Sequence, residues 1–163
     1  MTSARPWYWP EEGQPHRTEP FTWIVRGEIA ASWWPDPSVL ETYRREGIKA
    51  IVNCSEFDNR ADVAAEFAYY HFRVDDFGTP TEDQIRRFID ITLEHRSNNE
   101  PVVVHCVAGC GRTAQFIVAW GACNGYITRT TDPVQWIREK RSCSLETREQ
   151  MSHARKLARL FLG

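Results

Sequence analysis

Hydrophobic and polar residues follow two patterns along the chain, one typical of buried strands and the other of amphipathic helices. Short apolar runs rich in β-branched and aromatic residues predict five strands, at residues 21–25, 28–31, 48–53, 69–74 and 102–104. Apolar residues at helical spacing predict helices that begin near Ser38, Thr81, Arg112, Pro133 and Thr147. Residues 55–68 are expected to form a polar loop with a short helical turn.

Local signals predict where several helices begin and end. Thr81 and Gln84 have the spacing of a capping box. Ser38 is expected to cap the first helix, and Gly47 to end it. Thr147 is expected to open the last helix, whose inward side would carry Met151, Ala154, Ala158 and Phe161.

The order of these elements predicts the fold class. Strands that alternate with helices form a mainly parallel sheet with helices on both faces, so we predict a three-layer α/β sandwich. The run from Val102 to Val104 is too continuously apolar to be half exposed, which places it in the centre of the sheet. The loops after Val74 and Val104 should then meet at the carboxyl edge of the sheet, where folds of this kind bind ligands.

Length, composition and charge narrow the class of protein. The 163 residues suit one domain, and the net charge of -2 gives no general attraction to nucleic acid or membranes. We expect a proline-rich and tryptophan-rich arm at residues 1–20, packed on the domain or contacting a partner, and a folded domain at residues 21–163. No stretch resembles a membrane span or a signal peptide, so a cytoplasmic monomer without a membrane or nucleic-acid partner is predicted.

Cysteine usage bears on redox state and on metal binding. The five cysteines, at positions 54, 106, 110, 123 and 143, are odd in number and lie in a domain large enough to fold without cross-links. We therefore expect mostly reduced thiols. A zinc site from His105, Cys106 and Cys110 is disfavoured, because the spacing lacks a C-x-x-C pair and no second cluster completes the ligands. We expect no metal and no cofactor.

Residues 102–113 carry the most informative chemistry. They read Val-Val-Val-His-Cys-Val-Ala-Gly-Cys-Gly-Arg-Thr and run from a strand through a glycine-containing loop into a helix. The backbone N–H groups of such a loop, together with the helix dipole, form a pocket for a tetrahedral dianion. Cys106 would lie at its floor, where the same field favours the thiolate, and Arg112 could hold two phosphate oxygens.

This loop resembles the signature loop of the cysteine-dependent protein phosphatases, in which His-Cys, five residues and Arg-Thr follow one another. The stretches 21–25, 76–80 and 144–147 resemble the small atypical dual-specificity phosphatases, so the resemblance covers most of residues 20–162. It implies that residues 21–163 form a catalytic domain. It also implies that the loop binds the substrate phosphate, through Val107, Ala108, Gly109, Cys110, Gly111 and Arg112.

The resemblance further implies a two-step hydrolysis. Cys106 would attack phosphorus to form a phosphocysteine, and Asp76 would protonate the leaving oxygen before accepting a proton from water. Alignment of residues 73–77 with the family's general-acid loop favours Asp76 over Asp75. Thr113 would hydrogen-bond the sulfur and ease its departure, while His105 would brace the loop.

Two other residues have weaker assignments. Gln150 could position the attacking water, although a helix-cap role is favoured. Cys54 follows the predicted strand 48–53 and could approach Cys106, and some family members use a cysteine there. We therefore hypothesise that Cys54 can trap oxidised Cys106 as a disulfide.

The loop sequence and the short chain predict the substrate class. Family members that act on inositol lipids commonly carry lysines in this loop, which has none here, and tyrosine-specific domains are much longer. We therefore predict hydrolysis of phosphotyrosine and of phosphoserine or phosphothreonine in proteins. A phosphatase for small-molecule, inositol or RNA 5′ phosphates is the alternative, although no basic and aromatic stripe favours RNA. Outside this chemistry, the alternatives are a non-catalytic phosphate-binding module and a sulfurtransferase, which would leave Asp76 without a task.

Overall fold

The computed structural model describes residues 19–163, so residues 1–18 of the predicted arm lie outside the described part of the chain. In the described part, five strands and six helices follow one another: β1 Phe21–Val25, β2 Ile29–Ser32, α1 Pro37–Arg45, β3 Ala50–Asn53, α2 Arg60–Val63, β4 Ala68–His71, α3 Glu82–Ser97, β5 Val102–His105, α4 Gly111–Cys123, α5 Pro133–Lys140 and α6 Arg148–Leu160. None of the helices among residues 19–163 is long and apolar enough to cross a membrane.

The strands form one mostly parallel sheet. Its order is β1-β2-β5-β3-β4, and only the pair β1 and β2 is antiparallel. All four residues of β5 are buried, which confirms the central position predicted for the valine run. The mainly parallel sheet of the predicted α/β fold is therefore present.

Helices cover both faces of this sheet. Val103 belongs to the core beneath α1 and α2, together with Tyr43, whereas its neighbours Val102 and Val104 belong to the core beneath the other helices, together with Phe116. This alternation follows from the two-residue period of a strand, since successive side chains point to opposite faces. Each fully buried large side chain contributes roughly 1.5–3 kcal/mol to the stability of these two cores.

The start of α1 differs from the prediction. Asp36, and not Ser38, caps this helix, because Pro37 occupies its first position with a backbone angle already suited to a helix. The Asp36 carboxylate accepts the N–H of Val39 at 3.0 Å, and the Ser38 hydroxyl donates to the same oxygen at 2.8 Å. The capping box of Thr81 is present in both directions, as predicted.

Candidate active site

The loop between β5 and α4 is shaped by its glycines. Gly109 has a φ of +74°, which favours glycine, and a Cβ at this position would overlap the carbonyl oxygen of Ser32. A Cβ on Gly111 would lie 2.5 Å from Oε1 of Gln150. The loop can therefore pack against its neighbours only because both positions lack side chains.

Cys106 lies at the foot of this loop with its side chain buried. Burial alone would raise the pKa of its thiol, but hydrogen bonding with Cys54, the charge of Arg112 and hydrogen bonds from Thr113 hold this pKa well below its usual value. The Thr113 hydroxyl donates to the Cys106 sulfur at 3.1 Å. The arrangement thus stabilises a thiolate at neutral pH.

Arg112 connects three loops at the carboxyl edge of the sheet. Its Nη1 donates to the carbonyl oxygen of Val74 at 2.9 Å and pairs with Glu56 at 3.1 Å, while its Nη2 lies 3.4 Å from Asp76. The loops that follow β3, β4 and β5 therefore converge on one guanidinium, and Arg112 with these three partners forms the first wall of the loop between β5 and α4. The predicted meeting of the loops after Val74 and Val104 is confirmed.

The structure separates the two neighbouring aspartates. Asp76 points to Arg112, whereas the side chain of Asp75 is 80% exposed and pairs with Arg73 at 3.5 Å. The Asp76 N–H donates to Glu56 at 3.0 Å, which fixes the backbone at this turn. Only Asp76 is thus placed beside the loop.

Glu56 is a site residue that the sequence analysis missed. Partial burial would raise the pKa of its carboxyl, but the hydrogen bond and charge of Arg112 lower it below its usual value. Its two carboxylate oxygens contact Arg112 and the backbone of Asp76, so it joins the loop arginine to the predicted acid loop. Its position at the carboxyl edge, just after β3, was the signal that could have found it.

Residues 141–146 form a second wall of the loop, also missed from sequence. Arg141 is buried, and its Nε and Nη2 donate to the carbonyl oxygens of Gly109 at 2.8 Å and Ala108 at 3.2 Å. The N–H of Gly111 donates to the Glu146 carboxylate at 3.1 Å. This segment therefore contacts the loop from Ala108 to the start of α4.

A disulfide joins the same segment to the loop. Cys110 and Cys143 are bonded, with their Cα atoms 5.3 Å apart, although they are 33 positions apart in sequence. The expectation of reduced thiols is wrong for these two and holds for Cys54, Cys106 and Cys123. A separation of this length carries no local signal, because only the tertiary fold brings the segment against the loop.

His105 and Gln150 both support the backbone around the site. Nδ1–H of His105 donates to the carbonyl oxygen of Cys106 at 2.9 Å, and burial lowers the pKa of His105 to about 4, so the ring is neutral at pH 7. Gln150 accepts the N–H of Glu146 at 2.9 Å and donates to the carbonyl oxygen of Gly78 at 3.2 Å. Its amide therefore links two loops instead of closing a capping box with Thr147.

Cys54 approaches the nucleophile position as predicted from its place after β3. Its sulfur lies 3.6 Å from the Thr113 hydroxyl, which also contacts Cys106, and burial raises its pKa well above the usual value. Neither of these two cysteines is part of a disulfide. The oxidised pair stays a prediction, and peptide mapping after mild peroxide would contradict it by showing sulfinate at Cys106 with no link to Cys54.

Comparisons with known proteins relate this chain to phosphatases. The family model described as "Polymorphic toxin system, DSP-PTPase phosphatase" matches residues 35–126. An uncharacterized protein of Methanocaldococcus jannaschii is 35% identical over 78 residues, covering 47% of this chain and 50% of that protein. The human dual specificity protein phosphatase CDC14A is 26% identical over 158 residues, covering 87% of this chain and 26% of that protein. The chain thus spans half the length of the first relative and about a quarter of the second.

Solved structures share the fold at low sequence identity. Tk-PTP in its active form has a TM-score of 0.75 and 23% identity, covering 86% of this chain and 97% of that chain. PTPMT1 in complex with PI(5)P has a TM-score of 0.73 and 15% identity, covering 88% and 97%. Both likenesses concern the arrangement of the sheet and helices.

Proposed function

This chain belongs to the polymorphic toxin system DSP-PTPase phosphatase family, as a small atypical member of the cysteine-dependent phosphatases, and from that membership we propose that it dephosphorylates proteins through a phosphocysteine intermediate. The observation that carries the proposal is the buried Cys106 sulfur, which accepts a hydrogen bond from Thr113 at 3.1 Å at the start of α4. Arg112 and Asp76 lie in the same site, 3.4 Å apart.

In the first step, the Cys106 thiolate attacks phosphorus, and the bond between phosphorus and the leaving oxygen breaks. Protonated Asp76 donates its proton to that oxygen, while Arg112 and the loop N–H groups stabilise the charge on the phosphoryl oxygens. In the second step, Asp76 accepts a proton from water, which attacks phosphorus and releases the thiolate. The Thr113 hydroxyl stabilises the departing sulfur.

The proposed substrates are phosphotyrosine and phosphoserine or phosphothreonine side chains. CDC14A is named a dual specificity protein phosphatase, whereas the PTPMT1 structure holds PI(5)P. The residues between Cys106 and Arg112 include no lysine, so this loop offers no cationic side chain to a further phosphate of an inositol lipid. Phosphate release from phosphopeptides and from PI(5)P vesicles, measured side by side, tests this assignment.

The catalytic proposal is tested by hydrolysis of para-nitrophenyl phosphate in the presence of EDTA. Cys106→Ser should abolish turnover. Asp76→Asn should remove the basic limb of the pH profile, because that limb reports deprotonation of the general acid and asparagine does not ionise. Asp75→Asn is the matched control and should keep both turnover and the profile. A wild-type protein that binds phosphate under conditions that keep Cys106 reduced, yet shows no turnover, would instead identify a phosphate-binding module.

A further inference from the structure

The cation of Arg112 is shared among several negative groups. It lies 3.1 Å from Glu56 and 3.4 Å from Asp76, and Glu146 contacts the first residue of α4. The proposed function adds a thiolate and a substrate dianion to the same place. Arg112 alone would leave the loop surrounded by an excess of negative charge, which opposes anion binding.

Arg141 is a second buried cation beside the loop, with different partners. It is 4% exposed, and its hydrogen bonds to described residues go to the carbonyl oxygens of Ala108 and Gly109 and to the hydroxyl of Thr22 at 2.7 Å. Each of these oxygens is uncharged. The carboxylate of Glu19 also acts on Arg141 through its charge, but it does not share these hydrogen bonds. Because its hydrogen-bond partners are neutral, Arg141 keeps more of its positive charge available to a nearby anion than a guanidinium paired directly with carboxylates.

The same hydrogen bonds orient the loop. In a planar trans peptide, the C=O and N–H groups point in opposite directions. When Arg141 binds the carbonyl oxygens of Ala108 and Gly109, it turns the following N–H groups, of Gly109 and Cys110, away from itself. These N–H groups then point to the opposite side of the loop, where an anion can accept their hydrogen bonds.

We propose that Arg141 is a positioning residue of the anion site. It fixes the loop carbonyls, and it supplies positive charge in place of the Arg112 charge that Glu56 and Asp76 offset. The proposal rests on the proposed function, since its anion is the phosphate group of the substrate. Burial lowers the pKa of Arg141 to about 10, so the guanidinium remains protonated at neutral pH. The titratable or charged groups around Cys106 are Cys54, Glu56, Asp76, His105, Arg112, Arg141 and Glu146.

Arg138, which lies in α5 just before this segment, provides a matched control. Its guanidinium also binds two backbone carbonyl oxygens, of Ser144 at 2.9 Å and Leu145 at 2.8 Å. Neither belongs to the loop between Cys106 and Arg112. A purely structural role for both arginines would make variants at the two positions behave alike.

The test measures Cys106 alkylation by iodoacetamide across pH, and its protection by inorganic phosphate. We expect Arg141→Gln to raise the midpoint of alkylation by about one pH unit and to weaken phosphate protection about tenfold. Arg141→Lys should keep the midpoint within about 0.3 units, because the charge remains, and should weaken protection about threefold, because one ammonium cannot replace the guanidinium fork. Arg138→Gln should change neither quantity.

Two results would overturn the proposal: wild-type midpoint and protection in Arg141→Gln, or equal shifts in Arg138→Gln. Near-ultraviolet circular dichroism checks folding. If Arg141→Gln does not fold, Arg141→Lys decides the question, since unchanged phosphate protection in that variant contradicts the positioning role. Neither readout requires turnover. A protein that shows these effects without hydrolysing para-nitrophenyl phosphate would therefore refute the proposed function, and Arg141 would then position a phosphate-binding site that does not hydrolyse its ligand.

Discussion

The two walls of the loop each contribute a buried arginine, and the surroundings balance these two charges differently. Arg112 pairs with the carboxylates of Glu56 and Asp76, whereas Arg141 binds only uncharged oxygens among the described residues. A guanidinium that is hydrogen-bonded to carboxylates is fixed in position, but those carboxylates offset much of its charge. Arg141, on which Glu19 acts only through its charge, keeps more of its positive charge for an anion in the loop. Under the proposed function, Arg112 would mainly orient the substrate phosphate, and Arg141 would mainly supply the charge that attracts it.

Replacing Arg112 by lysine should have the largest effect. The ammonium cannot contact Glu56, Val74 and the substrate together, so kcat/KM for para-nitrophenyl phosphate should fall about a thousandfold. Arg86→Lys is the control, because Arg86 forms an exposed pair with Glu82 within α3. A loss below tenfold in Arg112→Lys would mean that a point charge is sufficient on this wall.

Cutting the disulfide should destabilise the wall that contains Arg141. For a loop closed over 33 residues, chain entropy predicts a loss of about 3–4 kcal/mol in the free energy of unfolding for Cys143→Ser. Urea unfolding measures it, and dithiothreitol should impose the same loss on the wild type. Cys123→Ser, at a free cysteine, is the control and should still lose stability when dithiothreitol is added, as the wild type does. A Cys143→Ser protein as stable as wild type would contradict the prediction.

Acid should destabilise the protein through His105. The unfolded histidine binds a proton near pH 6.5, whereas the buried ring does so only near pH 4. Between these values the unfolded state holds more protons, so stability is full above about pH 6.5 and falls by up to about 3 kcal/mol as the pH approaches 4. Urea unfolding should show a flatter pH dependence for His105→Asn than for wild type or for His71→Gln. Equal slopes in all three proteins would show that His105 binds its proton equally well in the folded and unfolded states. His105 would then count, with Arg112 and Arg141, among the cations around the loop in mild acid.

Removing one carboxylate from the Arg112 wall should have the smallest effect. Glu56→Gln keeps an oxygen that can accept the N–H of Asp76, but it removes a negative charge that offsets the positive charge of Arg112. We expect phosphate to bind about threefold more tightly and kcat to fall about tenfold, because the acid loop is held less firmly. Glu41→Gln, at an exposed pair with Arg44, is the control. Weaker phosphate binding in Glu56→Gln would mean that Glu56 holds Arg112 in place more than it offsets its charge.

The sequence was informative where the signals are local. The apolar run of β5 and the spacing of Cys106 and Arg112 predicted the central strand and the loop, and the capping pair at Thr81 predicted the start of α3. Glu56, Arg141 and the partner of Cys110 were missed, because contacts between residues far apart in the chain leave no periodic pattern. Ser38 was mistaken for a cap because Pro37 had not been assigned to the first helical turn.

The most direct test of the central claim is to trap the intermediate by mass spectrometry. Asp76→Asn removes the group that activates water for the second step, while para-nitrophenolate leaves without much acid assistance. Mixing this variant with para-nitrophenyl phosphate and quenching it in acid should add about 80 Da to the protein, located on Cys106. Turnover without an adduct on Cys106, or with phosphate on another residue, would contradict the phosphocysteine mechanism.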